Sequence, residues 1–199
     1  MKKLIILACL AATVSITSGT ACADSIKGKF GVTGKIGFLS PADNNAEFLD
    51  NNRTDTGFIG GGGIIYGIDN NVAAELEVTR TDFGSETGDF GVTNVSFGGQ
   101  YRFVLQQSQL VPYFGFGLDI LSTDYNVNGG ASSDVDTVVG GHVSGGVDFF
   151  LQRNLALSLE AKLVAAPDAK ITDNRTGNHA GNFDPSSFST TFGVRYFFN

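Results

Sequence analysis

The chain has 199 residues, 42% of them hydrophobic and only 17% charged, with 27 glycines and 4 prolines. Those figures exclude a disordered chain, a coiled coil and a collagen-like repeat; glycine, at about 14%, is well above the usual ~7%. Thirteen Lys and Arg against twenty Asp and Glu give a net charge of −7, which excludes a surface built throughout to grip nucleic acid.

The first element is a leader. Met1-Lys2-Lys3 is basic, Leu4 to Val14 is almost wholly apolar and uncharged, and Ala21-Cys22-Ala23 has the small-x-small pattern of a cleavage site. Residues 1–23 are therefore expected to be a signal peptide, cut after Ala23. The apolar run falls short of the ~20 residues a spanning helix needs. A lipidated Cys22 is the weaker alternative, because Gly19 stands where lipoprotein signals usually carry leucine. Cleavage removes Cys9 and Cys22, so residues 24–199 hold no cysteine and their net charge is −9. A disulfide framework, a thiolate metal site and a cysteine nucleophile are thereby excluded from the exported chain.

The rest alternates with period two, the strand signature. Strands are predicted at 27–39, 57–67, 72–83, 90–103, 111–121, 137–150, 155–164 and 187–198. Long links mostly alternate with short ones, the link at 84–89 being the exception. Asp69-Asn70-Asn71 and Gln152-Arg153-Asn154 read as tight turns between antiparallel neighbours. No internal repeat and no linker divides residues 24–199, which form one domain.

Each strand has an apolar face. The first offers Phe30, Val32, Ile36 and Phe38, the third Val72, Ala74, Leu76 and Val78, and the last Phe188, Phe192, Val194, Tyr196 and Phe198. The sixth and seventh behave alike, with Val139 to Phe149 and Leu155 to Leu163 at alternate positions. The second strand, with Ile59, Ile64, Ile65 and Tyr66, is apolar on both faces and is assigned no side. The opposite faces hold Lys29, Lys35, Arg102, Lys162 and Arg195 with Glu75, Glu77, Asp119, Asp148 and Glu160, plus His142. A soluble sandwich or ligand-carrying barrel could show the same alternation. The long apolar faces, the balanced opposite set and the alternating links favour the inverted form. The expected fold is all-β: an eight-stranded antiparallel up-and-down transmembrane β-barrel. Its narrow lumen is expected to be filled by paired charges rather than to form a wide aqueous pore.

The stretch Phe188-Ser189-Thr190-Thr191-Phe192-Gly193-Val194-Arg195-Tyr196-Phe197-Phe198 resembles the closing strand of bacterial outer-membrane barrels, with Asn199 added after the aromatic end. Pro112-Tyr113-Phe114-Gly115-Phe116-Gly117-Leu118, the run from Gly145 to Leu157, and Asp184-Pro185 resemble the OmpW family of small outer-membrane proteins. The resemblance implies a place in the bacterial outer membrane and binding or passage of small hydrophobic compounds. It also implies contact with outer-membrane lipid and lipopolysaccharide, and assembly by the barrel-assembly machinery. It carries over no catalytic, cofactor-binding or metal-binding residue, and no cofactor is expected.

Three patterns invite a sharper reading. His142-Val143-Ser144, with Glu160 on the neighbouring strand, invites comparison with the lipid A deacylases, where a histidine activates a serine. Both residues face the lumen, however, whereas a lipid-cleaving site must meet lipid, so a lumenal hydrogen-bond network is preferred and no enzyme is expected. Gly60-Gly61-Gly62-Gly63 lacks the GK[ST] of a phosphate loop and reads as close strand packing. Asp43, Glu47, Asp50, Asp55, Asp134, Asp136, Asp168, Asp173 and Asp184 form acidic loops without calcium-loop spacing. An apolar solute facing a charged lumen is expected to leave sideways through the outer half of the wall, near Gly115 and Gly117. A structural or surface-interaction barrel without transport stays open beside this reading.

Overall fold

The computed structural model describes residues 25–41, 56–85, 88–104, 108–127, 132–173 and 179–198; at 83–85, 88–90, 124–127, 132–135, 170–173 and 179–183 it describes backbone alone. The expected leader therefore lies outside the described residues, as do Asp43, Glu47, Asp50 and Asp55.

Eleven strands form one antiparallel sheet: β1 Phe30–Pro41, β2 Gly57–Gly67, β3 Val72–Ser85, β4 Gly88–Arg102, β5 Leu110–Val127, β6 Ser132–Val135, β7 Val138–Gln152, β8 Leu155–Ala165, β9 Ala169–Asp173, β10 His179–Phe183 and β11 Ser187–Phe198. Eight of them close on themselves in the order β1-β2-β3-β4-β5-β7-β8-β11, with β11 returning to β1 through the register Phe30↔Phe198 to Pro41↔Ser187. Closure removes the sheet edges, the condition for β-structure to cross a hydrocarbon layer. These eight match the predicted strands to within a few residues.

The differences lie at the long-loop end. The expected link at 84–89 is mostly strand, because β3 and β4 stay paired out to Ser85↔Gly88. That hairpin projects as a ladder, which is why its loop is short. The expected link at 122–136 holds the end of β5 and all of β6, and the one at 165–186 holds β9 and β10. β6 pairs with β5 on one side and β9 on the other, extending the sheet beyond the barrel.

Alternation decides which residue meets lipid. Ile36, Phe38, Phe97, Phe116, Leu118, Leu159, Leu163 and Phe192 are all at least half exposed, a band no soluble protein leaves bare. Tyr66, Tyr101 and Tyr196 lie at the short-turn end, with Tyr101 edge-on to Phe103 and Tyr196 edge-on to Phe198. Such aromatic residues mark the interface between hydrocarbon and headgroups. No helix among the described residues is long and apolar enough to cross a membrane.

The second strand now divides. Phe58, Ile64 and Tyr66 face out, while Ile59 and Ile65 are buried in the lumen. Its two apolar faces have separate causes, lipid outside and the two ends of the lumen inside.

Candidate functional site

The lumen is built in three levels. At the short-turn end Ile26, Ile65, Ala73, Val111, Phe150, Ala156 and Phe197 form an apolar plug, with the Phe150 and Phe197 rings stacked 5.9 Å apart. These residues share strand parity with the lumenal charges, so position along the strand rather than face separates plug from ion pairs.

Above the plug lies a closed ring of five side chains. Asp148 Oδ2 accepts from Arg102 Nη2 at 2.6 Å and from Arg195 Nη1 at 2.7 Å. Arg195 Nη2 donates to Glu75 Oε1 at 2.9 Å, Gln100 Nε2 donates to Glu75, and Arg102 Nη1 returns to Gln100 Oε1 at 3.3 Å. The ring takes residues from β3, β4, β7 and β11 and so ties distant parts of the chain across the lumen. Tyr113 caps it, with the Arg102 and Arg195 guanidinium carbons 5.8 and 5.5 Å from its ring centre.

A second ionic layer follows. Tyr113 donates its hydroxyl hydrogen to Glu160 Oε2 at 3.0 Å, and Lys35 Nζ donates to Glu160 Oε1 at 3.0 Å. Lys35 also pairs with Glu77, whose Oε2 accepts from Lys162 Nζ at 2.7 Å. To one side Asp119 accepts from Ser96 Oγ at 2.6 Å and Asn94 Nδ2 at 2.8 Å, and pairs with His142 Nδ1 at 2.6 Å. Burying so many charges is tolerable only because each has a partner.

Ten of the eleven expected lumenal residues are there. Lys29 is only half-buried. Gly28, at φ +72°, turns the chain before β1, and Lys29 N donates to Ile26 O at 2.9 Å. The turn carries Ile26 into the plug, while Lys29 O accepts from Gly67 N at the short-turn end. The buried set is therefore Lys35, Arg102, Lys162 and Arg195 against five carboxylates, rather than five against five. His142 supplies the pairing for Asp119.

Glu160 does not orient His142. The β7–β8 register sets His142 opposite Val164 and Glu160 opposite Gly146, which separates them along the barrel. His142 and Ser144 both face the lumen, away from lipid, beside a small recess that Gly98 and Gly115 keep clear. Of the acidic loop residues, Asp136 and Asp168 are exposed and Asp184 lies at the mouth of the lumen. The Asp134 and Asp173 side chains lie outside the described residues. No group of three or more His, Cys, Asp or Glu among those described is placed to hold a metal.

The upper ionic layer floors a small recess at the long-loop end. Ile59, Val92, Leu121, Val164 and Pro185 give it apolar walls, with Lys35, Glu77, Glu160 and Lys162 below. The wall beside Gly115 and Gly117 is closed, since Gly98↔Gly117, Gly117↔His142 and Gly115↔Ser144 continue the ladders unbroken. A sideways exit there would break backbone hydrogen bonds inside the membrane. Higher up the wall divides: β5 pairs with β7 only as far as Leu121↔Val138 and then with β6.

A closed barrel with a lipid-facing apolar band and a blocked polar lumen defines a small integral outer-membrane protein. The chain belongs to the outer membrane protein beta-barrel domain family, whose model matches residues 7–197. It resides in the bacterial outer membrane, among membrane lipids, as the OmpW-like resemblance implied. OprG from Pseudomonas aeruginosa superposes with a TM-score of 0.70 at 15% identity, covering 90% of this chain and 99% of that one. Neisserial surface protein A gives 0.67 at 20% identity, covering 85% and 97%. AlkL, solved in lipid bilayers, gives 0.57 at 14% identity, covering 93% and 94%. At these identities the likeness is one of fold. No curated protein matches the sequence.

Tyr113, Gln100, Asn94 and the plug are the lumenal residues that sequence reasoning missed. Their signal was parity: Tyr113 alternates with Asp119, Gln100 with Arg102, and Phe197 with Arg195.

Proposed function

We propose that the barrel takes small hydrophobic compounds into its outer recess and releases them over the rim of the wall beside Leu121. One observation carries the reading: a recess at the long-loop end, with Ile59, Val92, Leu121, Val164 and Pro185 in its walls, ends on a charged floor. An apolar compound gains by leaving water for those walls. It loses by meeting the ion pairs below, so the axial route is unfavourable and the rim, where β5 parts from β7, is the easier way out. The protein then acts as a binding and transfer barrel rather than an enzyme. Filling the recess is the test. Thr81→Trp should reduce uptake of a small apolar compound into cells, while removal of the floor charge Lys162 should not increase it. Unchanged uptake in the filled barrel would overturn the reading.

A second reading, a surface-interaction barrel, is favoured by the extension of the sheet through β6, β9 and β10 beyond the wall. One fold neighbour is named a surface protein, and another an attachment invasion locus protein. Deleting residues 166–184 separates the two. Loss of surface attachment with uptake retained supports interaction, and the reverse supports transfer. In either case the aromatic end of β11 is the element we assign to recognition by the assembly machinery, and the acidic loops to ion-bridged contact with lipopolysaccharide.

A further inference from the structure

Within the recess, and resting on the transfer reading above, we propose that the preferred compound is an uncharged amphiphile whose head is a hydroxyl group. Two polar atoms at the base of the apolar walls lead to this. Asn94 donates Nδ2 to Asp119 Oδ1 at 2.8 Å. A carboxylate oxygen only accepts, so that contact fixes which end of the amide is nitrogen. Asn94 Oδ1 is then turned away, buried, and without a hydrogen-bond partner among the described residues. Asn94 stands directly opposite Leu121 on the neighbouring strand, so the acceptor sits beside apolar wall.

The second atom is Lys162 Nζ. An ammonium carries three N–H donors, and the contact described for this one is with Glu77 Oε2. Lys162 lines the same recess as Asn94.

A head that meets both atoms accepts from Lys162 and donates to Asn94. A hydroxyl does both; a carbonyl or ether only accepts, and an alkane leaves both atoms unsatisfied. Donor and acceptor chemistry decides against an ionised head: an ammonium cannot accept from Lys162, a carboxylate cannot donate to Asn94, and either gives up its hydration on leaving water. The body of the compound rests on Ile59, Leu121 and Val164.

The barrel in lipid nanodiscs, with isotope-labelled Ile, Leu and Val methyl groups, is titrated with 1-octanol, n-octane and octanoate. Empty nanodiscs correct for partition into lipid. The methyl signals of Ile59, Leu121 and Val164 should shift with octanol at about tenfold lower concentration than with octane or octanoate, roughly the least that one hydrogen bond to an amide and one to an ammonium would give. Asn94→Ala should bring octanol toward octane while leaving octane unchanged. Equal affinities for the three compounds in the unaltered barrel would overturn the hydroxyl preference and leave the recess reading standing. No shift with any of them would overturn the recess reading itself. The comparison of the three compounds decides the matter even where the Asn94 variant fails to fold.

Discussion

Lys162 on β8 reaches across the lumen to Glu77 on β3, 85 residues earlier in the chain, and meets it at 2.7 Å. The two strands are not neighbours in the wall, so the pair braces the barrel where backbone hydrogen bonding cannot. Glu77 also holds Lys35, whereas the ion pair described for Lys162 is with Glu77 alone.

That asymmetry orders two variants. Glu77→Gln strips the carboxylate from two buried ammonium groups and should cost about 3–5 kcal/mol, the usual penalty for breaking a buried pair. Lys162→Met leaves Glu77 with Lys35 and should cost distinctly less. Denaturant midpoints of the refolded barrel in lipid, read by its heat-modified gel mobility, give both numbers. A larger loss for Lys162→Met would contradict the placement of Glu77 as the shared partner.

Two glycines of β1 should respond in opposite directions. A Cβ on Gly34 would point to lipid and meet nothing within 4 Å, while one on Gly37 would lie 2.7 Å from Thr191 Cα. Gly34→Ala should therefore be neutral or stabilise by about 0.5–1 kcal/mol, through reduced freedom of the unfolded chain. Gly37→Ala should push β1 away from β11 and lower the folded fraction. The same gel assay reads both, and equal behaviour would mean that close approach at the β1–β11 seam does not explain Gly37.

Much of this architecture was legible because a strand has period two. Once Glu75 and Glu77 were set on one face of β3, Leu76 and Val78 had to meet lipid. What period two cannot report is position along the strand or register between strands. Hence Glu160 could be named as a candidate third member beside His142 and Ser144, though the turn after Gln152 sets the β7–β8 register so that Glu160 meets Lys35 and Tyr113 instead. The positive φ at Gly28 is equally invisible to period two: it ends the alternation before Lys29 and carries Ile26 into the plug. The plug was hidden because Phe150 and Phe197 are apolar residues on the charged face, and only their common height turns them into a cluster.

The leader makes a simple chemical prediction. Mass spectrometry of protein recovered from the outer membrane should find Asp24 at the N-terminus, with no cysteine and no attached lipid. An intact Met1 end on that material would refute processing after Ala23, and a lipid-modified Cys22 would support the lipoprotein alternative.

The barrel should pass no large, steady ion current in a planar bilayer. Two barriers lie in series below the recess, the ionic layers and the apolar plug, and they can be told apart. Phe197→Ala opens the plug and should cost about 3–5 kcal/mol of stability, yet the ring of Arg102, Asp148, Arg195, Glu75 and Gln100 still spans the lumen above it. That variant should remain closed. Replacing both Arg102 and Arg195 by alanine removes the ring's two guanidinium groups and the support beneath Tyr113, so brief openings should appear where the folded barrel survives. Single-channel recording of the two variants side by side gives the answer. Steady current through Phe197→Ala alone would place the block in the plug, and the charged network would then be a brace for the wall rather than the barrier that turns apolar compounds back toward the rim.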